Sequence, residues 1–117
     1  MNQDLKATLN DETTVTRLAQ FFPSAIKVRI PVMVSRAMNG EPMQGAGEET
    51  VIEFGTEREV IFASSIPLEF DDKVHLKNVD GSLDTNASVV AVQLGPEKSA
   101  VAVRFTHVVN NWIIKRG

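Results

Sequence analysis

Between positions 26 and 35 the chain reads Ile-Lys-Val-Arg-Ile-Pro-Val-Met-Val-Ser, with an aliphatic side chain at every second position. A period of two belongs to a pleated strand with one face in a core and the other in water; a helix would scatter the same residues around its circumference. The pattern assigns Ile26, Val28, Ile30, Val32 and Val34 to the inner face and Lys27 and Arg29 to the outer one. Such a strand needs partners to cover its apolar face.

The rest of the chain supplies them. Residues 49–54 read as a second strand with Val51 and Phe54 inward, joined to the first through Asn39-Gly40, Pro42 and Gly45-Ala46-Gly47, which is turn material. Residues 59–63 give a third strand, broken by Ser64-Ser65-Ile66-Pro67. Residues 72–78 give a fourth with Val74 and Leu76 on one face, followed by a turn at Asp80-Gly81. Residues 86–94 and 100–105 form two more, separated by Gly95-Pro96-Glu97-Lys98 at hairpin length. Six strands joined this way predict an all-β antiparallel barrel or sandwich, since one sheet must close or stack to hide its apolar face.

Ahead of the strands, Asn10-Asp11-Glu12 is a capping signal for a short helix with Val15, Leu18, Ala19 and Phe22 at helical spacing, stopped by Pro23. Isolated helices of this length are marginal in water, so the stripe is expected to dock on its own domain and to bury Phe21 or Phe22. The tail from His107 carries Trp112-Ile113-Ile114 and is expected to pack as a short helix or strand, anchored by Trp112.

A chain of 117 residues is expected to form one domain and bury about two thirds of its unfolded surface. No apolar run approaches the roughly 20 residues that span a bilayer, so no membrane insertion is expected. The first residues lack a cationic stretch followed by an apolar one, which makes the cytoplasm the expected compartment. The absence of cysteine removes disulfides, thiolate ligands and thiol nucleophiles together. A net charge of -3 argues against a general nucleic-acid coat, which works by neutralising phosphates. Base stacking is disfavoured too, because tyrosine is absent and Phe54, Phe62 and Phe105 fall at core positions.

Catalytic chemistry finds little support. His75 and His107 are the only histidines, they lie in separate elements, and His75 alternates with Val74 and Leu76 toward solvent. A zinc site or a nucleophile–base–orienter set needs convergent groups. Gly45 and Gly47 are not followed by the Gly-Lys-Ser/Thr of a phosphate loop. Glu48, Glu49, Glu53, Glu57 and Glu59 read as a solvated strand face, not an acid–base pair. The chain is expected not to be an enzyme.

From Arg29-Ile30-Pro31-Val32-Met33-Val34 onward the chain resembles the PilZ domain, a small bacterial barrel whose members bind cyclic di-GMP. Residues 67–76, Pro-Leu-Glu-Phe-Asp-Asp-Lys-Val-His-Leu, resemble the family's stretch "pro-leu, two residues, gly-asp, x, val, x, leu", with Asp71 where glycine is usual. Residues 87–92 resemble the next strand. Val101-Ala102-Val103-Arg104-Phe105 resembles the closing "val-gly-val-x-phe" strand, with Ala102 for glycine, and Asn111-Trp112 resembles an aromatic found after it in some members. The likeness runs from about Val28 to Trp112. It implies a six-stranded antiparallel PilZ-like β-barrel over residues 25–117, with a short tail, preceded by a helical extension over residues 1–24.

The ligand motifs of the family are altered. Members that bind cyclic di-GMP carry Arg-x-x-x-Arg just before the first strand, whose guanidinium groups clamp phosphate and stack on guanine. Here Ala25 stands four positions before Arg29, and Lys27 is a poor substitute because an ammonium lacks the planar fork. The second motif, Asp/Asn-x-Ser-x-x-Gly, is not restored by aligning its glycine on Gly55, which places Thr50 and Ile52 at the acid and serine positions. Nor is it restored by aligning its serine on Thr56, which places Phe54 at the acid and Glu59 at the glycine. The resemblance therefore implies a regulatory module without a cofactor, acting through an unidentified protein partner with weak or no cyclic di-GMP binding, its docking surface a free sheet edge or the Pro31-bearing strand. The alternative is a domain that holds cyclic di-GMP or another anionic nucleotide on Lys27, Arg29 and Arg36.

Overall fold

The alternating segment becomes β1 (Ile26–Met38), which runs three residues past Ser35 in the computed structural model of the protein; residues 13–38, 41–42, 47–109 and 112 are described. Val32 and Val34 are buried, and Val28 and Ile30 pack partly buried against the same core. Ile26 departs from its expected inward placement and is 53% exposed. It stands at the start of the strand opposite Gly55, which has no side chain for it to pack on.

The remaining strands are β2 (Glu41–Pro42), β3 (Glu48–Gly55), β4 (Glu59–Ser64), β5 (Lys73–Asn78), β6 (Asp84–Gln93) and β7 (Ser99–Phe105). Around the barrel the order is β1-β3-β4-β7-β6-β5, every pairing is antiparallel, and β5 returns to pair with β1. The result is the expected closed six-stranded antiparallel barrel with one short helix. β2 is an addition, attached to β1 through Ala37↔Pro42 and Met38↔Glu41. Asn39-Gly40 and Gly45-Ala46 lie outside the described residues.

The inward phase of β3 differs from the expectation at Val51. Ile52 is the fully buried residue and Val51 lies half-buried on the outer face. Two adjacent β-branched residues leave the phase undetermined in sequence. The register settles it by pairing Ile52 with Phe62 of β4, while a shift before the next pair sets Phe54 against Ile61. One irregularity of this kind turns a side chain to the other face. Phe54 therefore packs in a second apolar layer, with Ile61, Ala100 and Ala102, outside the barrel.

That layer is covered by α1 (Thr14–Ala19) through Val15 and Leu18. A helix of six residues has no independent stability, so burial of these two side chains holds it in place. Thr13 is the N-cap, its Oγ1 accepting from the Thr16 amide at 3.1 Å; the expected capping residues Asn10, Asp11 and Glu12 lie outside the described residues. The helix ends at Ala19, with Gln20 as C-cap, before reaching Pro23. Phe22 joins the layer and Phe21 is 74% exposed. The β6–β7 hairpin also lies close to the helix start: a Cβ on Gly95 would collide with the Lys98 carbonyl and come within 2.7 Å of Thr14 Oγ1.

Trp112 seals the interior. It is buried in the main core, its Nε1 donates to the Thr56 carbonyl at 2.7 Å, and its ring meets Phe105 edge-on at 5.4 Å. This satisfies the polar end of an otherwise apolar side chain. Ile113 and Ile114 lie outside the described residues.

The connection before β5 holds Asp71 in a left-handed conformation. Its φ is 74°, in the left-handed region where glycine carries no Cβ penalty. The strained turn is held by the Asp71 amide donating to Val89 O and the Val89 amide donating to Asp72 O, both at 2.8 Å.

Two outcomes follow from this packing. Asp71→Gly should raise stability by about 1 kcal/mol, the relief of the left-handed strain outweighing loss of the exposed Asp71–Lys73 pair, and should move the thermal midpoint up by a few degrees. Trp112→Ala should cost about 3–5 kcal/mol in urea unfolding. An unchanged urea midpoint would remove Trp112 from the core.

Candidate functional site

Along β1 the outward positions run Lys27, Arg29, Pro31, Met33, so cations occupy one end and apolar side chains the other. The pairing of β1 also changes midway. β3 pairs with it from Ile26 to Val34, whereas β5 pairs only from Val32 to Arg36. On the β5 side, residues 26–31 have no neighbouring strand among the described residues.

The end of β5 is fixed by a tight turn. The Asn78 amide donates to Leu83 O at 2.9 Å, the Leu83 amide donates to Asn78 Oδ1 at 3.0 Å, and Gly81 takes a φ of 77°. The chain thus leaves β1 at the Val32↔Asn78 pair. A groove of about 490 Å³ opens there, lined by Pro31, Met33, Val51 and Val79, with Glu49 and Lys77 on its walls to either side of Met33.

The three expected anion-binding residues do not share one environment. Lys27 and Arg29 are exposed, and none of the ion pairs among the described residues includes them. Arg36 lies seven residues further on, about 23 Å at the usual rise of a strand. Its Nη1 donates to Asp72 Oδ2 at 3.3 Å and its Nη2 to Pro67 O at 2.6 Å, tying β1 to the β4–β5 connection.

The connections before β1 and after β3 are occupied by the fold's own bonds. The Ala25 amide donates to Phe22 O at 2.9 Å at the end of the helical segment. In the β3–β4 turn, Thr56 is buried; its hydroxyl donates to Glu59 Oε1 at 2.7 Å and accepts from the Glu59 and Arg58 amides. Arg104 closes the cluster from β7, its Nε and Nη2 donating to Glu59 Oε2 at 3.0 and 2.7 Å.

Glu59 therefore departs from the solvated face expected of it, and so does Glu48. Glu48 accepts from the Ser64 hydroxyl, the Ser65 amide and the Ser65 hydroxyl, with Lys98 Nζ at 3.6 Å. Burial alone would raise both carboxyls. Hydrogen bonds from Ser65 and Ser64 and the charge of Lys98 more than offset it at Glu48; Thr56, Arg104 and Arg58 do so at Glu59. Both carboxyls are held below the ordinary range. The serine pair and the Thr-x-x-Glu spacing were the sequence signals for these contacts. His75 points outward as expected but is largely covered, with Nδ1 2.8 Å from Asn86 Oδ1 and Nε2 2.7 Å from Asp84 Oδ1.

No family model matches the chain, and no curated protein matches it. Among solved structures it is similar to the Bacillus subtilis inhibitor of motility MotI/DgrA, with a TM-score of 0.53 and 11% identity over 74% of this chain. The aligned part is 43% of that chain, so this protein spans less than half of its neighbour. At such identity the likeness concerns the fold, and together with the closed barrel it fits a PilZ-like architecture. Among the described residues, no helix is long and apolar enough to cross a membrane.

The depressed carboxyls of Glu48 and Glu59 contribute to an acid limb of stability. A carboxyl lowered in the folded state stabilises it above the unfolded value, and that contribution disappears as pH falls through the folded one. Urea midpoints should therefore drop below the ordinary carboxylate range. In Glu59→Gln the drop should be shallower from a lower neutral plateau; an acid limb identical to the parent's would show that Glu59 is not coupled to folding.

Proposed function

We propose that the chain is a non-catalytic, PilZ-like regulatory module of the cytoplasm that acts by contacting a protein partner and binds cyclic di-GMP weakly or not at all. The observation that carries this reading is the state of the two motif positions. Where ligand-binding members place a clamping arginine there is Ala25, bonded into its own turn. Neither register of the second motif restores its acid and serine, and the one that sets the serine on Thr56 puts Glu59 at the glycine, inside an internal cluster with Arg104. A guanidinium fork cannot be rebuilt from Lys27, and the Glu59 charge is unfavourable to a dianionic ligand.

The fold-level likeness to an inhibitor of motility supports a regulatory role in general terms. The absence of a convergent nucleophile, base and orienter in the sequence supports the non-catalytic part of the reading.

A second reading is favoured by the exposure of Lys27 and Arg29 without an ion-pair partner among the described residues: an anionic nucleotide held on that end of β1. Arg36 would contribute little to it, being bound to Asp72 and Pro67. Calorimetry and thermal melting with cyclic di-GMP separate the two. The adaptor reading expects no heat and no shift, whereas a ligand at a hundred times its dissociation constant would stabilise by about 2.7 kcal/mol. Low-micromolar binding abolished by Arg29→Glu would replace the first reading with the second.

A further inference from the structure

We infer that residues 26–30 of β1 form a receptive strand edge that takes up an acidic, extended segment of a partner protein by β-addition. The inference rests on the adaptor reading and names the chemistry of its partner. Three observations meet at this place. The edge facing away from β3 has no strand beside it among the described residues, because β5 turns away at Asn78. Its outward side chains include Lys27 and Arg29, exposed and outside the ion pairs of the described residues. Directly beyond it lies the groove lined by Pro31, Val51 and Val79, into which an apolar side chain of an added strand can reach.

An added strand would continue the sheet along the path β5 abandons. Main-chain hydrogen bonds supply affinity in such an arrangement, and alternate side chains supply selection. Outward residues of the added strand stand about 5 Å from Lys27 and Arg29, where opposite charges are favourable. Pro31 has no amide hydrogen, which limits the ladder to a short segment. Glu53 lies on β3, on the already paired side of β1, while Glu49 lines the groove across Met33 from Lys77.

The same charges disfavour a second copy as occupant. Two chains joined edge to edge about a two-fold axis would bring the cations of one strand against those of the other, and like charges across a pair destabilise it. Charged side chains and proline are also how exposed edges avoid pairing with themselves. Lys27, Arg29 and Pro31 thus repel an identical edge, and the two cations attract an acidic one. Because the whole chain carries -3, the attraction is local and must weaken with salt.

The test is an NMR titration of the ¹⁵N-labelled full chain with two synthetic ten-residue peptides, one alternating Glu with Val and Thr, the other carrying Lys in place of Glu. The acidic peptide should shift the amide signals of residues 26–30, Val51 and Val79 and slow hydrogen exchange along the edge. The double variant Lys27→Glu/Arg29→Glu should bind it at least tenfold more weakly and prefer the basic peptide. Both positions are exposed, and an unchanged melting temperature verifies that the variant is folded. Equal responses to the two peptides, shifts mapping elsewhere, or edge-to-edge dimers in sedimentation would overturn the inference. Cyclic di-GMP added to the same sample keeps the two readings apart: nucleotide binding defeats the adaptor reading, while a silent nucleotide with an unresponsive edge defeats this inference alone.

Discussion

The double pairing of Val32 to Val34 is the constraint from which the rest of the structure follows. Across this stretch β1 is bonded to β3 on one edge and to β5 on the other, and that second ladder, continued to Arg36, turns a curved sheet into a barrel. Closure encloses Val34, Ile52, Phe62, Val74 and Leu76 in one interior from which solvent is excluded. The Arg36–Asp72 pair sits beside this seam but is about a third exposed, so its net stabilisation is small. Hydrophobic enclosure, not the ion pair, supplies most of the stability; Arg36 mainly sets where the β4–β5 connection crosses the seam.

A barrel of this size still has to hide apolar residues on its outer wall. The register shifts at Ile52/Phe54 and Val89/Ala91 change which side chains face outward, and the layer they border packs against α1. β4 and β7 consequently have runs of buried residues, Val60 to Phe62 and Ala100 to Val103, because the core lies on one side and the helix on the other. Ala102 belongs to this contact. A small side chain there lets a six-residue helix come close to the strand, and Gly95 permits the same approach from the hairpin.

Period and turn chemistry made most of the strands legible in sequence, because alternation reports burial on one face without any knowledge of the partner. Elements whose placement depends on the partner were not legible. Val51 and Ile52 are equally apolar, and only the register with Phe62 chooses between them. Ile26 satisfies the alternation but finds Gly55 opposite it. At the candidate site, alternation placed Lys27 and Arg29 outward, whereas the commitment of Arg36 depends on Asp72, 36 residues away. Glu48 and Glu59 read as solvated for the same reason: Glu48 meets Ser64 and Ser65 from the end of β4, and Glu59 meets Arg104 from β7.

The bonded connections and the enclosed barrel are two aspects of one arrangement. The interior is made by residues at alternating strand positions, whereas Ala25 and Thr56 lie in the connections on either side of β1 and β3. Substitution in those connections leaves the enclosed core untouched, so they are free to take up structural bonds of their own. At the β3–β4 turn this has a second effect. The Thr56 carbonyl receives the indole of Trp112 while its hydroxyl organises Glu59, and Glu59 draws in Arg104. One turn thereby joins the C-terminal plug, β4 and β7. Any change that breaks this network removes bonds on which the closed end of the barrel relies.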